Sequence, residues 1–185
     1  LPALTCPSDP SATARGDIWH FKPEIWASSS YKGVLGDSVI WPQSTTHTQG
    51  TLPDCHNNVA GCNGLFWRTA YWSPIKLKDV IDGLSNTFMV GESVVNQDFH
   101  AAAMFADGDW ASCNAPLNFF VVGRTEEELQ NDYWYDTRGF RSLHAGGAQF
   151  VMGDGSVHLI QEGIEHSVYR ALSTRNGEET VSLPQ

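Results

Sequence analysis

The sequence predicts an α+β fold with an antiparallel sheet, long loops, and a C-terminal hairpin followed by a short helix. Three observations carry that reading. Asp154-Gly155 stands between alternating apolar runs at 148–152 and 156–160, and Asp-Gly in that position is the strongest short-range hairpin signal, because a primed turn wants positive φ at both central residues. Thr125-Glu-Glu-Glu128 has the form of a capping box, with the Thr hydroxyl taking a free amide and the Glu reaching back. Residues 1–63 are dense in Pro, Gly, Ser, Thr, Asn and Asp, which is loop chemistry.

In chain order, the aromatic residues of the loop-rich first third (Trp19, Phe21, Trp26, Tyr31, Trp41) argue that these loops pack onto a core. Gly64-Leu-Phe-Trp67 reads as a strand. The segment 75–81 alternates before the turn signal Asp82-Gly83, and Thr87-Phe-Met-Val90 reads as a buried strand. A short helix is expected over about 125–132, then the hairpin, then a helix over about 164–173. Ile164, Val168, Ala171 and Leu172 fall on one face of that helix, and Asn176-Gly177 supplies a stop.

With 185 residues and 41% apolar content, the chain is expected to form one domain, 1–185. Its formal charge of −10 argues against a nucleic-acid partner and against an anionic membrane surface. No apolar run approaches the roughly 20 residues that span a bilayer. The start Leu1-Pro-Ala-Leu4 lacks a charged, apolar or cleavage-site pattern, so the numbering is expected to begin inside a longer precursor.

The four cysteines are Cys6, Cys55, Cys62 and Cys113. Six residues between Cys55 and Cys62 do not give the tight spacing of a zinc motif. A disulfide joining these two across a flexible Asn- and Gly-containing segment is the expectation, with Cys6–Cys113 as the second pair by elimination.

Five stretches then fall in a recognisable order: Cys6-Pro-Ser-Asp-Pro10; Ser30-Tyr-Lys-Gly33; 79–92, containing Asp82-Gly83 and Ser85-Asn-Thr87 and ending Gly91-Glu92; 142–157, containing His144, Gly146-Gly147 and Asp154-Gly155; and 171–178. The chain resembles the bacterial prepilin-like proteins whose C-terminal signature is His, nine residues, Asp-Gly, a domain of unknown function numbered 1559. Ala145 stands where that family usually has Pro.

The resemblance implies a pilin-like head outside the cytoplasmic membrane, in the periplasmic or extracellular part of the envelope, tethered only through an N-terminal helix absent from this sequence. It implies like or related pseudopilin subunits and secretion machinery as partners. No enzymatic activity is implied, and no catalytic residue is assigned.

Other constellations are weighed against this. His144, Asp154 and Ser142 suggest nucleophilic catalysis, but no Gly-x-Ser-x-Gly elbow is present, and the expected role of His144 is a hydrogen bond to the backbone at the base of the hairpin. Asp107-Gly-Asp109 resembles the start of a calcium loop without its remaining ligands; calcium is the one cofactor left open. Glu92 and Asp98 would serve a glycosidase only if close in space. Trp67, Trp72, Tyr133 and Tyr135 are expected in core or subunit contacts. The leading function is thus a structural or assembly subunit, the alternative an extracellular glycan- or solute-binding module.

Overall fold

A computed structural model describes residues 2–14, 23–40, 62–68, 74–98, 100–179 and 181–183. Among these residues the sheet has five strands: β1 (Tyr31–Val34), β2 (Phe88–Glu92), β3 (Trp110–Ala111), β4 (Gly147–Met152) and β5 (Val157–Gln161). Among the described residues two short helices, α1 (Glu126–Asn131) and α2 (His166–Ala171), complete an α+β fold.

In space the strands run β3-β1-β2-β4-β5. β1–β2, β2–β4 and β4–β5 are antiparallel, but β1–β3 is parallel, so the sheet is mixed and the expectation of a purely antiparallel one is corrected. After β2 the chain passes through the 3₁₀ turn Val95–Gln97 and reaches the free side of β1. Because β1 runs antiparallel to β2, a chain that reverses after β2 and returns on the other side of β1 pairs with β1 in parallel, and two residues are too few to show a period in the sequence.

The hairpin and both helices lie where local chemistry places them. Gly155 has φ +87° in the turn, a conformation glycine adopts without a Cβ penalty, and Ser156 donates from its N–H and hydroxyl to Asp154 Oδ1 at 2.9 and 2.7 Å. Thr125 caps α1, accepting from the Glu128 N–H at 3.2 Å while Glu128 accepts from the Thr125 N–H at 2.7 Å. Two expectations fail. Residues 64–67 form no strand; Gly64, Leu65 and Phe66 instead donate to the carbonyls of Leu35 and Val34. The alternating segment 75–81 holds the 3₁₀ turn Leu77–Asp79, with Leu77 and Ile81 exposed, so its alternation reflects no buried face.

One face of the sheet carries the main core: Val34, Phe88, Ala148, Phe150, Met152 and Ile160 pack with Phe140, Tyr169 and Leu172. Phe150 is its hub, with ring centroids 4.4 Å from Phe88 and 5.0 Å from Phe140. Full burial of each such side chain contributes about 1.5–3 kcal/mol. Gly91 leaves the room this needs, because a Cβ there would lie 2.5 Å from the Phe150 ring and 2.6 Å from that of Phe140. A second cluster joins Leu35, Ile40, Cys62, Trp67 and Trp110 with Trp134 and Tyr135, a core use of the aromatics; Trp72 lies outside the described residues.

Polar residues of the sequence motifs latch distant segments together. Asp82 accepts from the N–H groups of Gly177 and Glu178 at 2.7 and 2.9 Å. Thr87 donates its hydroxyl to the Gly83 carbonyl at 3.0 Å, and Gly153 N–H donates to the Thr87 carbonyl at 2.8 Å. The turn Leu84–Asn86, which contains Ser85 and Asn86, is thus tied both to the hairpin and to the chain after α2. Asp82→Ala is expected to lower stability by about 1–2 kcal/mol, the usual cost of losing charge-assisted backbone hydrogen bonds. Amide exchange at 177–178 should accelerate with it; unchanged protection there would refute the latch.

Candidate functional site

Three of the motifs, far apart in sequence, deliver one side chain each to a single point. Cys6 comes from the turn after the N-terminal 3₁₀ segment Pro2–Leu4, Glu92 from the end of β2, and His144 from the loop entering β4. His144 Nε2 lies 3.4 Å from Cys6 Sγ and 3.3 Å from Glu92 Oε1. The sheet fixes the carboxylate, since Gln149 N–H donates to Glu92 Oε2 at 2.8 Å. Cys6 and Glu92 are buried, whereas the His144 side chain is one-third exposed, at 33%. The point opens onto a recess of about 380 Å³ on the outward face of the sheet, lined by Pro7, Tyr31, Val90, Val151 and Val157 among others. Burial, with Cys6 and Glu92 adding to it, holds the Tyr31 phenol above its ordinary range.

A family model described as a protein of unknown function, DUF1559 (SBP_bac_10), matches residues 1–167. The chain belongs to the DUF1559 family. No curated protein and no solved structure matches it.

Within this DUF1559 chain His144 and the Asp154-Gly155 pair lie apart in space. Asp154 and Gly155 form the hairpin turn, at the far end of β4 from His144, and a six-residue strand is about 20 Å long. The spacing of nine between His and Asp-Gly therefore measures an entry loop plus one strand. Gly146, at φ +85°, turns the chain into β4, and a Cβ on Gly147 would lie 2.0 Å from the Ile160 carbonyl oxygen. The side chain of His144 meets Cys6 and Glu92, not a backbone group as expected. A local reading of the hairpin could not place either partner beside it. Ser142 accepts from the His144 backbone N–H at 3.1 Å, a contact with the backbone of this histidine and not with its ring. Asp9 accepts from Val95 N–H at 2.9 Å and from Ser11, fixing the Cys6 turn to the sheet; Ser8 is exposed.

The expected Cys6–Cys113 disulfide is not formed: both are free, buried thiols. Cys113 lies in the main core beside the hydroxyls of Tyr169 and Ser173, where burial pushes its thiol up to about 12, while Cys6 faces the recess. Cys62 is buried and is not among the free thiols. Cys55, and with it the pairing proposed to Cys62, lies outside the described residues.

Glu92 and Asp98 do not form a carboxylate pair. Asp98 is wholly buried and accepts from Lys32 Nζ at 2.5 Å and from His100 N–H at 2.9 Å. Asp107 stands 3.6 Å from Arg68, Asp109 is partly buried, and the two join no third metal-ligating side chain among the described residues.

Around the Lys32–Asp98 pair the titrations pull in opposite directions. Burial lowers His100 to about 4 and raises Asp109 to about 6. Between pH 4 and 6.5 the unfolded chain holds more protons at His100, so that group's contribution falls as pH drops. Between 3.8 and 6 the folded chain holds more at Asp109, so that contribution falls as pH rises. The two slopes offset each other in the native chain. Asp109→Asn should expose a loss of stability on acidification from 6.5 to 4, and His100→Gln should expose a gain from 6 to 4. Urea midpoints across that range will read both, and parallel profiles for the two variants would contradict the assignment.

Proposed function

We propose that this domain is a non-enzymatic subunit of a pseudopilin-like envelope assembly, acting by contact with like or related subunits and carrying a pilin-like head. One observation carries the reading. The outward face of the sheet, opposite the aromatic core, presents Val90 and Val151 continuous with Val157 and Leu159 on edge strand β5, the last two 58% and 54% exposed. Exposed apolar residues grouped on a sheet edge mark a surface meant to be covered. The latching use of the motif polar groups supports the same reading, because it spends them on holding the fold. A glycan-binding module would want exposed aromatic platforms; among the described residues Trp67 and Trp110 are buried. Among the described residues no helix is long and apolar enough to cross a membrane; in this proposal the tether is an N-terminal helix preceding Leu1.

The test is to express the precursor and, separately, the domain with Leu159→Cys. The precursor should insert in the membrane and be processed by a prepilin peptidase. The cysteine should crosslink to like or related subunits in the assembled envelope, while the isolated domain stays monomeric. A precursor with an ordinary secretory signal and no retained apolar helix, or a cysteine that captures no such subunit, would overturn the proposal.

A further inference from the structure

The geometry points to a transition-metal site formed by Cys6, Glu92 and His144, of the kind that takes Zn²⁺. Each residue offers one ligand atom, and the three atoms lie within 4.8 Å of one another. Zinc bonded at about 2.3 Å to sulfur and about 2.0–2.2 Å to nitrogen and oxygen would, at the tetrahedral angle, separate S from N by about 3.5 Å and N from O by about 3.4 Å. The observed separations are 3.4 Å for Sγ to Nε2 and 3.3 Å for Nε2 to Oε1. Two edges of the tetrahedron are therefore already in place.

Hydrogen bonding alone satisfies this trio poorly. A single imidazole nitrogen offers either one proton or one lone pair, yet both a sulfur and a carboxylate oxygen approach Nε2. A cation among the three converts that competition into three bonds. A thiolate, a carboxylate and a neutral imidazole carry two negative charges together, matching one divalent ion.

The donor set selects the class of metal. Sulfur and imidazole favour zinc and its late first-row neighbours, while calcium and magnesium want oxygen ligands only. The hydrogen bond from Gln149 N–H to Glu92 Oε2 leaves Oε1 directed at His144, the outer-partner arrangement that orients metal ligands. Three protein ligands leave the fourth position to the recess bounded by Tyr31 and Pro7, and the partly exposed His144 gives an ion its way in.

The test titrates the reduced, metal-free domain with Zn²⁺ and with Co²⁺. One equivalent of each should bind, cobalt with a thiolate charge-transfer band and the intense visible bands of a four-coordinate ion. Cys6→Ser, Glu92→Gln and His144→Ala should each weaken zinc by more than the about 10–100-fold typical of losing an outer partner, and Cys6→Ser should abolish the charge-transfer band. Asp154→Ala, at the far end of β4, should bind as the native chain does. Should a ligand variant fail to fold, the native chain still decides: zinc, but not magnesium, should protect Cys6 from alkylation as mapped by mass spectrometry. Absence of stoichiometric binding, binding unaffected by Cys6→Ser and His144→Ala, or alkylation of Cys6 at the same rate with and without zinc would overturn the proposal.

Discussion

Replacing Arg141 by Leu is expected to destabilise the fold by about 4 kcal/mol or more, since each buried acceptor left without a donor costs about 1–3 kcal/mol. The guanidinium is fully buried and spends its donors on carbonyls. Nη1 donates to Thr137 at 2.6 Å and Gly139 at 3.1 Å, Nη2 donates to Asp136 at 2.9 Å, and Nε donates to Phe119. Burial lowers its pKa to about 10, which still leaves it charged at neutral pH. The arginine thus acts as the centre of a loop fold, doing for irregular backbone what a ladder does for a strand. Arg141→Lys retains the charge but loses the planar fork, and should recover only part of the deficit. Urea unfolding of the two variants checks this, and a loss below about 1 kcal/mol for the leucine would show that the carbonyls find other donors.

Asp98→Ala is expected to cost about 3–5 kcal/mol, the range for removing one partner of a buried ion pair. Lys32 has nowhere to take its charge. It is 1% exposed, burial already lowers it to about 8 even beside Asp98, and Arg138 adds repulsion. The double replacement Lys32→Met with Asp98→Leu should be less destabilised than Asp98→Ala alone, because it removes both charges from the interior. The deficit of Asp98→Ala should also shrink as pH rises toward about 8. Without Asp98 the folded pKa of Lys32 falls below its native value of about 8, so the variant regains stability as pH rises toward 8 while the native chain does not, and above 8 the two climb together. A double variant no better than the single one would refute this account.

What the sequence disclosed follows the reach of its signals. The hairpin, the box at Thr125 and the amphipathic α2 depend on neighbours within a few residues, and they stand where the local chemistry put them. β3 has two residues and no period to read, and its parallel pairing follows from a connection that skips past β1 and leaves no local mark. The candidate site behaves similarly. Cys6, Glu92 and His144 were each legible as motif members, yet the contact between Cys6 and His144 spans 138 positions, far beyond any spacing rule for metal ligands. Lys32 and Asp98 meet across 66 positions. Arg141 stayed invisible for a different reason: its acceptors are backbone carbonyls, which carry no side-chain identity.

The strand order β3-β1-β2-β4-β5 also bears on when the fold can form. β4 and β5 are joined by a tight turn, and a hairpin of this kind closes in about 1–10 μs. β1, by contrast, finds both its neighbours far downstream, and such non-local pairings are slow because chain closure precedes any reward. On a chain emerging N-terminus first, β1 waits for β2, and β2 remains an open edge until β4 has followed. The polypeptide accordingly stays without a closed sheet for most of its length, and locks only once its C-terminal hairpin has formed.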